Sequence, residues 1–250
     1  MFKLSILIFL SIAWAADAAM RLDTKDGEYP YQASLQRKEA PAYYFCSGTI
    51  ISSKWILTAA NCFDRFRTGI NDIKVGVGSI SLRAATFYLV EQIIIHENYD
   101  EIYLDNNIAL VKLASELILN SNVAPIDLAS MDTPPGTNCT LTGWGPYISN
   151  PRNPYNLKVT FLNTINQSDC RRCFRMGYVN TDVAERQLSG ERDEPFGACQ
   201  IEAGGPLAVN NEVVGIISCS GRDIYRSREY PYIFTKVFAY LDWISNKINS

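Results

Sequence analysis

Beyond residue 30 the chain alternates short apolar, β-branched and aromatic runs with turn residues such as Pro134-Pro-Gly and Asn210-Asn211. Many short strands without long helices between them are typical of an all-β sandwich or barrel. The runs that predict strands are Tyr43–Ile51, Trp55–Ala59, Ile73–Val77, Thr86–Ile95, Ile108–Leu113, Cys139–Trp144, Leu157–Ile165, Val213–Cys219 and Tyr232–Val237.

Two segments predict helices instead. Ser168–Arg175 is short and begins with two polar residues. The tail has one apolar face at helical spacing, made of Val237, Leu241, Ile244 and Ile248. The turn-rich residues 120–138 predict a connector between two β halves.

The N-terminus has the layout of a secretory signal peptide. Lys3 precedes an apolar run, Leu4–Trp14, and small residues follow, with A-x-A matches that end at Ala15 and Ala18. A membrane anchor is the alternative, but the run is shorter than the roughly 20 apolar residues that a bilayer requires. We expect residues 1–18 to be removed and the protein to be secreted and extracellular, without membrane association.

Composition and net charge exclude several classes of protein. The 250 residues are 47% hydrophobic and 20% charged, which indicates a folded globular protein. The net charge of −3 argues against a nucleic-acid partner, which favours basic proteins. His96 is the single histidine, so any mechanism that needs an imidazole must use it. We expect no cofactor.

Seven cysteines are compatible with disulfides in a secreted protein, and the odd number leaves at least one thiol over. Zinc is the alternative for Cys170-x-x-Cys173. Neither a second C-x-x-C nor a histidine pair completes a tetrahedral site, so we expect no metal.

Three segments stand out as motifs: Trp55-Ile-Leu-Thr-Ala-Ala-Asn-Cys62, Asp105-Asn-Asn-Ile-Ala-Leu-Val-Lys-Leu113 and Cys199-Gln-Ile-Glu-Ala-Gly-Gly-Pro-Leu207. They resemble, in this order, the segments that present the catalytic histidine, aspartate and serine of the chymotrypsin/trypsin-like serine endopeptidases (peptidase S1). Supporting matches lie at Gly27–Gln32, Cys46–Ile50, Leu141–Gly145, Gly215–Ser218 and Thr235–Val237.

The resemblance implies a fold of two packed six-stranded antiparallel β-barrels with a short intermediate helix and a C-terminal helix. We expect the domain to span residues 19–250. Within it the first barrel would cover about 27–120, the second 130–237 and the C-terminal helix 238–249.

The same resemblance implies that the catalytic triad is degenerate. In the family a serine attacks, a histidine takes the proton and a buried aspartate orients the histidine. The three positions here hold Ala203, Asn61 and Asn107. A methyl group cannot attack a carbonyl, and an amide has no useful proton affinity near neutral pH. We expect a protein that is not an enzyme.

Neighbouring positions of the motif differ too. Ile201 stands where a glycine supplies an oxyanion-hole amide, and we expect a distorted hole. Glu202 replaces the aspartate that pairs with the new N-terminus after zymogen cleavage. No Ile-Val-Gly-Gly follows an activating Arg or Lys, so we expect no proteolytic activation. His96 matches a non-catalytic position, and a general-acid role for Glu202 is a remote alternative.

The specificity pocket would be altered as well. Its base maps to the uncharged Gly197, and its wall glycines map to Ser220 and Tyr232. A tyrosine ring on the wall would fill the pocket. The alternative is that the Tyr232 ring faces solvent.

The resemblance also implies disulfides. Cys46–Cys62 matches a family pair, and Cys219 stands where it could replace the displaced partner of Cys199. Cys139 is the best candidate for an unpaired or intermolecular thiol. Its pairing with Cys170 or Cys173 stays open.

Surface features complete the predictions. Asn138-Cys-Thr and Asn166-Gln-Ser are glycosylation sequons. The loop with Arg226, Arg228 and Tyr230 has the composition of a binding hot spot, and a merely solvated loop is the alternative.

These observations predict a secreted, non-catalytic homologue of serine proteases that acts by protein or peptide binding. Its partner would be an extracellular protein or peptide, such as an active serine protease, its substrate or its inhibitor, and the protein would serve as a decoy, cofactor or regulator. One alternative is an active endopeptidase or other hydrolase with unorthodox residues. Another is a structural protein cross-linked through the odd cysteine.

Overall fold

A computed structural model describes residues 22–38, 43–64, 69–144, 156–166, 168, 187–190, 203–218 and 232–249, with the backbone alone at 43 and 187–190. The strands in this part of the chain are β1 (Leu22–Asp23), β2 (Gln32–Arg37), β3 (Tyr43–Ile50), β4 (Trp55–Thr58), β5 (Ile73–Val77), β6 (Thr86–Ile95), β7 (Ala109–Leu113), β8 (Asp127–Leu128), β9 (Asn138–Gly143), β10 (Lys158–Ile165), β11 (Gln187–Gly190), β12 (Pro206–Val209), β13 (Glu212–Ile217) and β14 (Tyr232–Lys236).

The first half of the chain forms a closed antiparallel barrel in the order β2-β3-β4-β7-β6-β5. β2 closes the ring because it pairs on one side with β3, with Leu35 opposite Cys46, and on the other with β5, with Leu35 opposite Val75. Branched side chains that are fully buried fill the interior, among them Ile50, Ile56 and Leu110.

The second half forms a sheet whose strands run β10-β11-β14-β13-β12-β9. β9 also pairs with β10, with Phe161 opposite Thr140, so the hydrogen-bonded path returns to its start. β1 adds to β10, and the short β8 runs parallel to β13. The structure therefore confirms the predicted mostly β fold, with a closed six-stranded barrel in the first half and, among the described residues of the second half, an eight-stranded sheet that contains a ring of six.

The apolar pattern located nine strands to within two residues but missed β1, β2, β8, β11 and β12. In β2 the pattern fails because Gln32, Ser34 and Gln36 are buried. Their side chains form hydrogen bonds within the fold: Ser34 donates to the carbonyl of Gly76 at 3.2 Å, and the Gln36 amide donates to the carbonyl of Leu82 at 3.1 Å.

The tail winds into a single 3-10 turn, Val237–Tyr240, and then into helix α1, Leu241–Ile248. Val237 and Ile244 are buried, and Leu241 and Ile248 pack half-buried against the same core, which confirms the predicted apolar face. Apart from Ser168, the predicted helix Ser168–Arg175 lies outside the described residues, as does the N-terminal segment. Within the described residues, no helix has the length and apolarity to cross a membrane.

Candidate active site

Asn61 lies on a short 3-10 turn, Ala60–Cys62, that follows strand β4. Both neighbours of Asn61 in this turn are buried. A disulfide between Cys46 and Cys62 ties the turn to β3, with the two Cα atoms 6.0 Å apart. The predicted pairing is thus confirmed, and it fixes the backbone that carries Asn61.

Asn107 is fully buried just before strand β7. Its Oδ1 accepts a hydrogen bond from the backbone N–H of Asn61 at 2.9 Å. Because that N–H can only donate, the amide orientation is determined, and Nδ2 is left to donate to Oγ of Ser218 at 2.8 Å. The Asn107 amide therefore links the Asn61 turn to the second half of the molecule.

A second pair of bonds holds Asn107 from the other side. The Thr235 hydroxyl on β14 donates to the Asn107 carbonyl at 2.8 Å. The Ser218 N–H donates to the carbonyl of Ile233 at 3.0 Å, which fixes the end of β13 against β14. Asn107 thus lies at the junction of the two sheets, where the segment before β7 contacts β13 and β14.

Ala203 enters the site from a third segment. It is buried, and its carbonyl accepts from the N–H of Ser47 on β3 at 2.9 Å. The next residue, Gly204, has φ +82°. A Cβ there would lie 2.1 Å from Oγ1 of Thr58 and 2.4 Å from the Ser47 carbonyl, so only glycine fits. Gly204 thereby lets the Ala203 segment approach β3 and β4 closely.

The structure brings the three predicted positions into one polar cluster. The sulfur of Cys62, next to Asn61, lies 3.7 Å from the carbonyl oxygen of Ala203. The side chains at the three positions are two neutral amides, which donate and accept hydrogen bonds, and a methyl group, which does neither; none of them exchanges protons near neutral pH. Among the described residues no group of three His, Cys, Asp or Glu side chains could hold a metal ion.

Tyr232 begins strand β14, with Gly190 of β11 opposite it. Its side chain is 7% exposed, and its ring centroid lies 6.3 Å from that of Phe234. This burial contradicts the alternative of a ring that faces solvent. The pocket-wall role stays a prediction, because the other two pocket positions, Gly197 and Ser220, lie outside the described residues.

Several further predicted residues lie outside the described part of the chain. Their roles in the oxyanion hole, the activation pair, the second disulfide and partner binding stay predictions. These residues are Ile201, Glu202, Cys199, Cys219, Cys170, Cys173, Arg226, Arg228 and Tyr230.

His96 packs against the C-terminal helix. Its ring centroid lies 5.1 Å from that of Trp243 and 5.5 Å from that of Tyr240. Its Nδ1 accepts the backbone N–H of Asn98 at 3.2 Å. These contacts give the imidazole a role in packing, as its match to a non-catalytic position predicts.

Cys139 is a free cysteine in the structure, in agreement with the prediction that it is unpaired. Burial raises the pKa of its thiol to about 11, so little thiolate forms at neutral pH. A buried, protonated thiol is poorly suited to form a disulfide with another chain. The sequon residues Asn138 and Asn166 are both exposed, and their glycosylation stays a prediction.

The sequence predicts Asn61, Asn107 and Ala203 as the three matching positions, but it does not predict the residues that hold them. Ser218 and Thr235 each lie in a short matching segment, Gly215–Ser218 and Thr235–Val237, without a role assigned to their hydroxyls. Their polarity at the ends of apolar runs was the available signal, since buried hydroxyls in such places need a partner.

Comparisons with known proteins agree with this architecture. A sequence profile of the family described as Trypsin matches residues 21–244. Trypsin II-P29 of Gallus gallus is 33% identical over 223 residues, covering 88% of this chain and 84% of the relative. Serine protease 1 of Rattus norvegicus is 32% identical over 263 residues, covering 98% and 99%. Transmembrane protease serine 11B of Homo sapiens is 34% identical over 231 residues, covering 89% of this chain and 53% of the relative.

Proposed function

This chain belongs to the trypsin family, and on that premise we propose that it is a secreted, non-catalytic member that acts by binding extracellular proteins or peptides. One observation carries the proposal. The positions that match the family's serine, histidine and aspartate are Ala203, Asn61 and Asn107. Their side chains supply neither a nucleophile nor a base.

The chemistry of amide hydrolysis depends on those groups as a unit. In a protease that uses the same constellation, removal of the serine or the histidine alone lowers kcat by about a millionfold. Here all three groups differ. The residual rate that an intact oxyanion hole and binding together could give is about 10³- to 10⁴-fold above the reaction in water, far below that of a working protease.

The Asn107 geometry adds an electrostatic argument. A catalytic aspartate accepts hydrogen bonds and stabilises an imidazolium by its negative charge. The amide of Asn107 instead donates through Nδ2 to Ser218 and carries no charge. A histidine placed at position 61 would therefore lack the charged partner that holds it in the productive tautomer.

A binding role is favoured because the scaffold around the cluster is retained. The Cys46–Cys62 bridge, the left-handed Gly204 and the polar bonds of Asn107 all hold the segments around the cluster in place. Loops on a rigid scaffold commonly carry binding function, and they can do so without chemistry. The signal-peptide layout of residues 1–18 supports the proposal that this binding occurs outside the cell.

The decisive experiment treats the purified protein with a serine-directed phosphonate probe and a peptide library. We expect no labelling and no cleavage, because position 203 has no hydroxyl. A trace of contaminating protease is recognised by its insensitivity to the variants Ala203→Gly and Asn61→Ala. Cleavage that disappears in either variant would show that the unorthodox residues act in hydrolysis, and it would overturn the proposal.

A further inference from the structure

The loop between β6 and β7 presents two adjacent large apolar side chains to solvent. Ile102 is 61% exposed and Tyr103 is 60% exposed. A single exposed apolar residue is ordinary on a protein surface. Two in succession, one of them a tyrosine, form the kind of anchor that is enriched at the centre of protein interfaces.

The tip of this loop is held in a defined conformation. Oδ1 of Asp100 accepts the backbone N–H groups of Ile102 and Tyr103, at 2.8 and 2.9 Å. The Asp100 N–H donates to the carbonyl of Asp105 at 3.0 Å, which closes the loop. Because the anchors already sit on an ordered backbone, less conformational entropy is lost when they are buried by a partner.

Asn106 holds the end of this loop, next to the site described above. Nδ2 of Asn106 donates to the carbonyl of Asn98 at 2.8 Å, and the Tyr240 hydroxyl donates to Oδ1 of Asn106 at 3.1 Å. Asn106 immediately precedes Asn107. The exposed pair therefore lies on the loop that leads into the cluster, and a partner seated on it would lie close to the cluster.

The charge around the tip is negative. Residues 96–108 contain four carboxylates and neither lysine nor arginine, and one of the four, Glu97, is paired with Lys247 of the C-terminal helix. The Tyr99 hydroxyl hydrogen-bonds to Asp64. Burial, this bond and the charges of Asp64, Glu101 and Asp100 raise the pKa of Tyr99, so the three carboxylates lie within electrostatic reach of one hydroxyl.

We propose that Ile102 and Tyr103 form the docking anchor for a basic segment of a protein partner, with an apolar side chain of that segment packed on the pair and its lysines or arginines facing the surrounding carboxylates. Charge complementarity selects this occupant. Anionic membranes and nucleic acids are repelled, and a second copy of this chain, with its net charge of −3, is disfavoured. The inference rests on the proposed binding function and specifies the partner's chemistry.

Three short fluorescein-labelled peptides test the chemistry by fluorescence anisotropy: alternating Lys and Leu, alternating Lys and Ser, and alternating Glu and Leu. We expect the Lys-Leu peptide to bind best, because it alone supplies both charge and apolar contact. Its affinity should fall as salt is raised, because screening weakens the attraction between exposed charges. Equal binding of the Glu-Leu peptide would overturn the proposal.

Matched variants locate the binding. Ile102→Ser with Tyr103→Ser should weaken the Lys-Leu peptide about tenfold or more, as expected for loss of an interface anchor. Asp100→Asn with Glu101→Gln keeps the acceptor oxygen of the turn but removes two charges, so it should reduce the salt dependence. Ile118→Ser with Leu119→Ser alters another exposed adjacent pair, 76% and 49% exposed, and should leave binding unchanged.

An equal loss in the Ile118 and Leu119 control, or no loss in the Ile102 and Tyr103 variant, would overturn the proposal. Denaturant unfolding of each variant separates a local effect from loss of folding, because all the altered side chains are on the surface. The phosphonate and cleavage assays measure hydrolytic activity and not peptide binding. Failure of peptide docking therefore leaves the non-catalytic assignment intact, and labelling by the phosphonate would overturn that assignment alone.

Discussion

Two single residues fix the backbone around the candidate site. Gly204 takes a left-handed conformation against Thr58 and Ser47, where no side chain fits. Asn107 uses both ends of its amide, one toward the Asn61 turn and one toward Ser218. Together they determine how closely the Ala203 segment and the Asn61 turn approach each other.

Replacement of Gly204 by alanine should destabilise the fold by about 3 kcal/mol, from the strained φ and the overlap with Thr58 together. Urea unfolding followed by tryptophan fluorescence measures the change. Gly69→Ala is the control, because Gly69 has φ −59° and no atom near the position of a new Cβ. Similar losses in the two variants would contradict the steric explanation.

At this scale the sequence predicts which residues occupy the site but not how they are oriented. The identities of Asn61, Asn107 and Ala203 follow from three motifs. The direction of the Asn107 amide depends on Ser218, which is distant in sequence and reaches it through folding. No local pattern encodes that contact.

Among the helices and strands, α1 shows how the tail is attached to the first barrel. Glu97, just after β6, accepts from Nε1 of Trp243 at 2.9 Å and pairs with Lys247. His96 packs on the same helix through its ring. The end of the chain is thus bound to a segment of the first barrel.

The Glu97 contacts predict a pH dependence. Hydrogen bonds from Lys247, from the Glu97 backbone and from Trp243 lower the pKa of Glu97 from 4.5 to about 2. A lowered pKa in the folded state means that the stabilisation is complete above pH 4.5 and is lost as the pH falls toward 2. Because the carboxylate is half exposed, the effect should be about 1 kcal/mol or less.

Glu97→Gln should therefore be slightly less stable than the unaltered protein at neutral pH and equal to it near pH 2. Thermal unfolding of both proteins across the acid range measures the difference. If the difference in stability between the two proteins increased as the pH fell, the pKa of Glu97 could not be lowered in the folded state, and the prediction would be wrong.

Strands illustrate where pattern reading succeeds and where it fails. β5 matches its prediction from Ile73 to Val77 because its side chains pack into the apolar core of the barrel. β2 was missed because its buried polar residues form hydrogen bonds, such as those of Ser34 and Gln36, that exist only once the strands are folded together. A strand such as β5 can be predicted because its buried apolar side chains form a pattern in the sequence. A strand such as β2 cannot, because its burial depends on tertiary hydrogen-bond partners.

Across the whole molecule, buried polar bonds join the two sheets. The Thr142 hydroxyl on β9 donates to Oε1 of Gln32 at 2.6 Å, and Nε2 of Gln32 donates to the Ser47 hydroxyl at 3.2 Å. Nε1 of Trp144 donates to the carbonyl of Ile80 at 2.7 Å. The apolar runs did not distinguish a barrel from a sandwich, because closure depends on pairings such as β2 with β5. The family resemblance supplied that information.

A double-mutant cycle of Gln32→Ala and Thr142→Val tests this link. Each single change leaves a buried polar partner unsatisfied, and we expect a coupling free energy of about 1 kcal/mol in denaturant unfolding. Gln32→Ala combined with Glu97→Gln, whose side chains bond to different partners, should be additive. Additivity in both cycles would mean that the Gln32 to Thr142 bond contributes nothing to holding the sheets together.

The neutral side chains of the cluster also affect how the site responds to pH. An imidazole and a carboxylate at these positions would gain protons as the pH falls, and the electric field around them would change. Asn61, Asn107 and Ala203 have nothing to titrate between mild acid and mild alkali. The electric field that these three buried or half-buried side chains contribute is therefore the same in mildly acidic and in mildly alkaline surroundings.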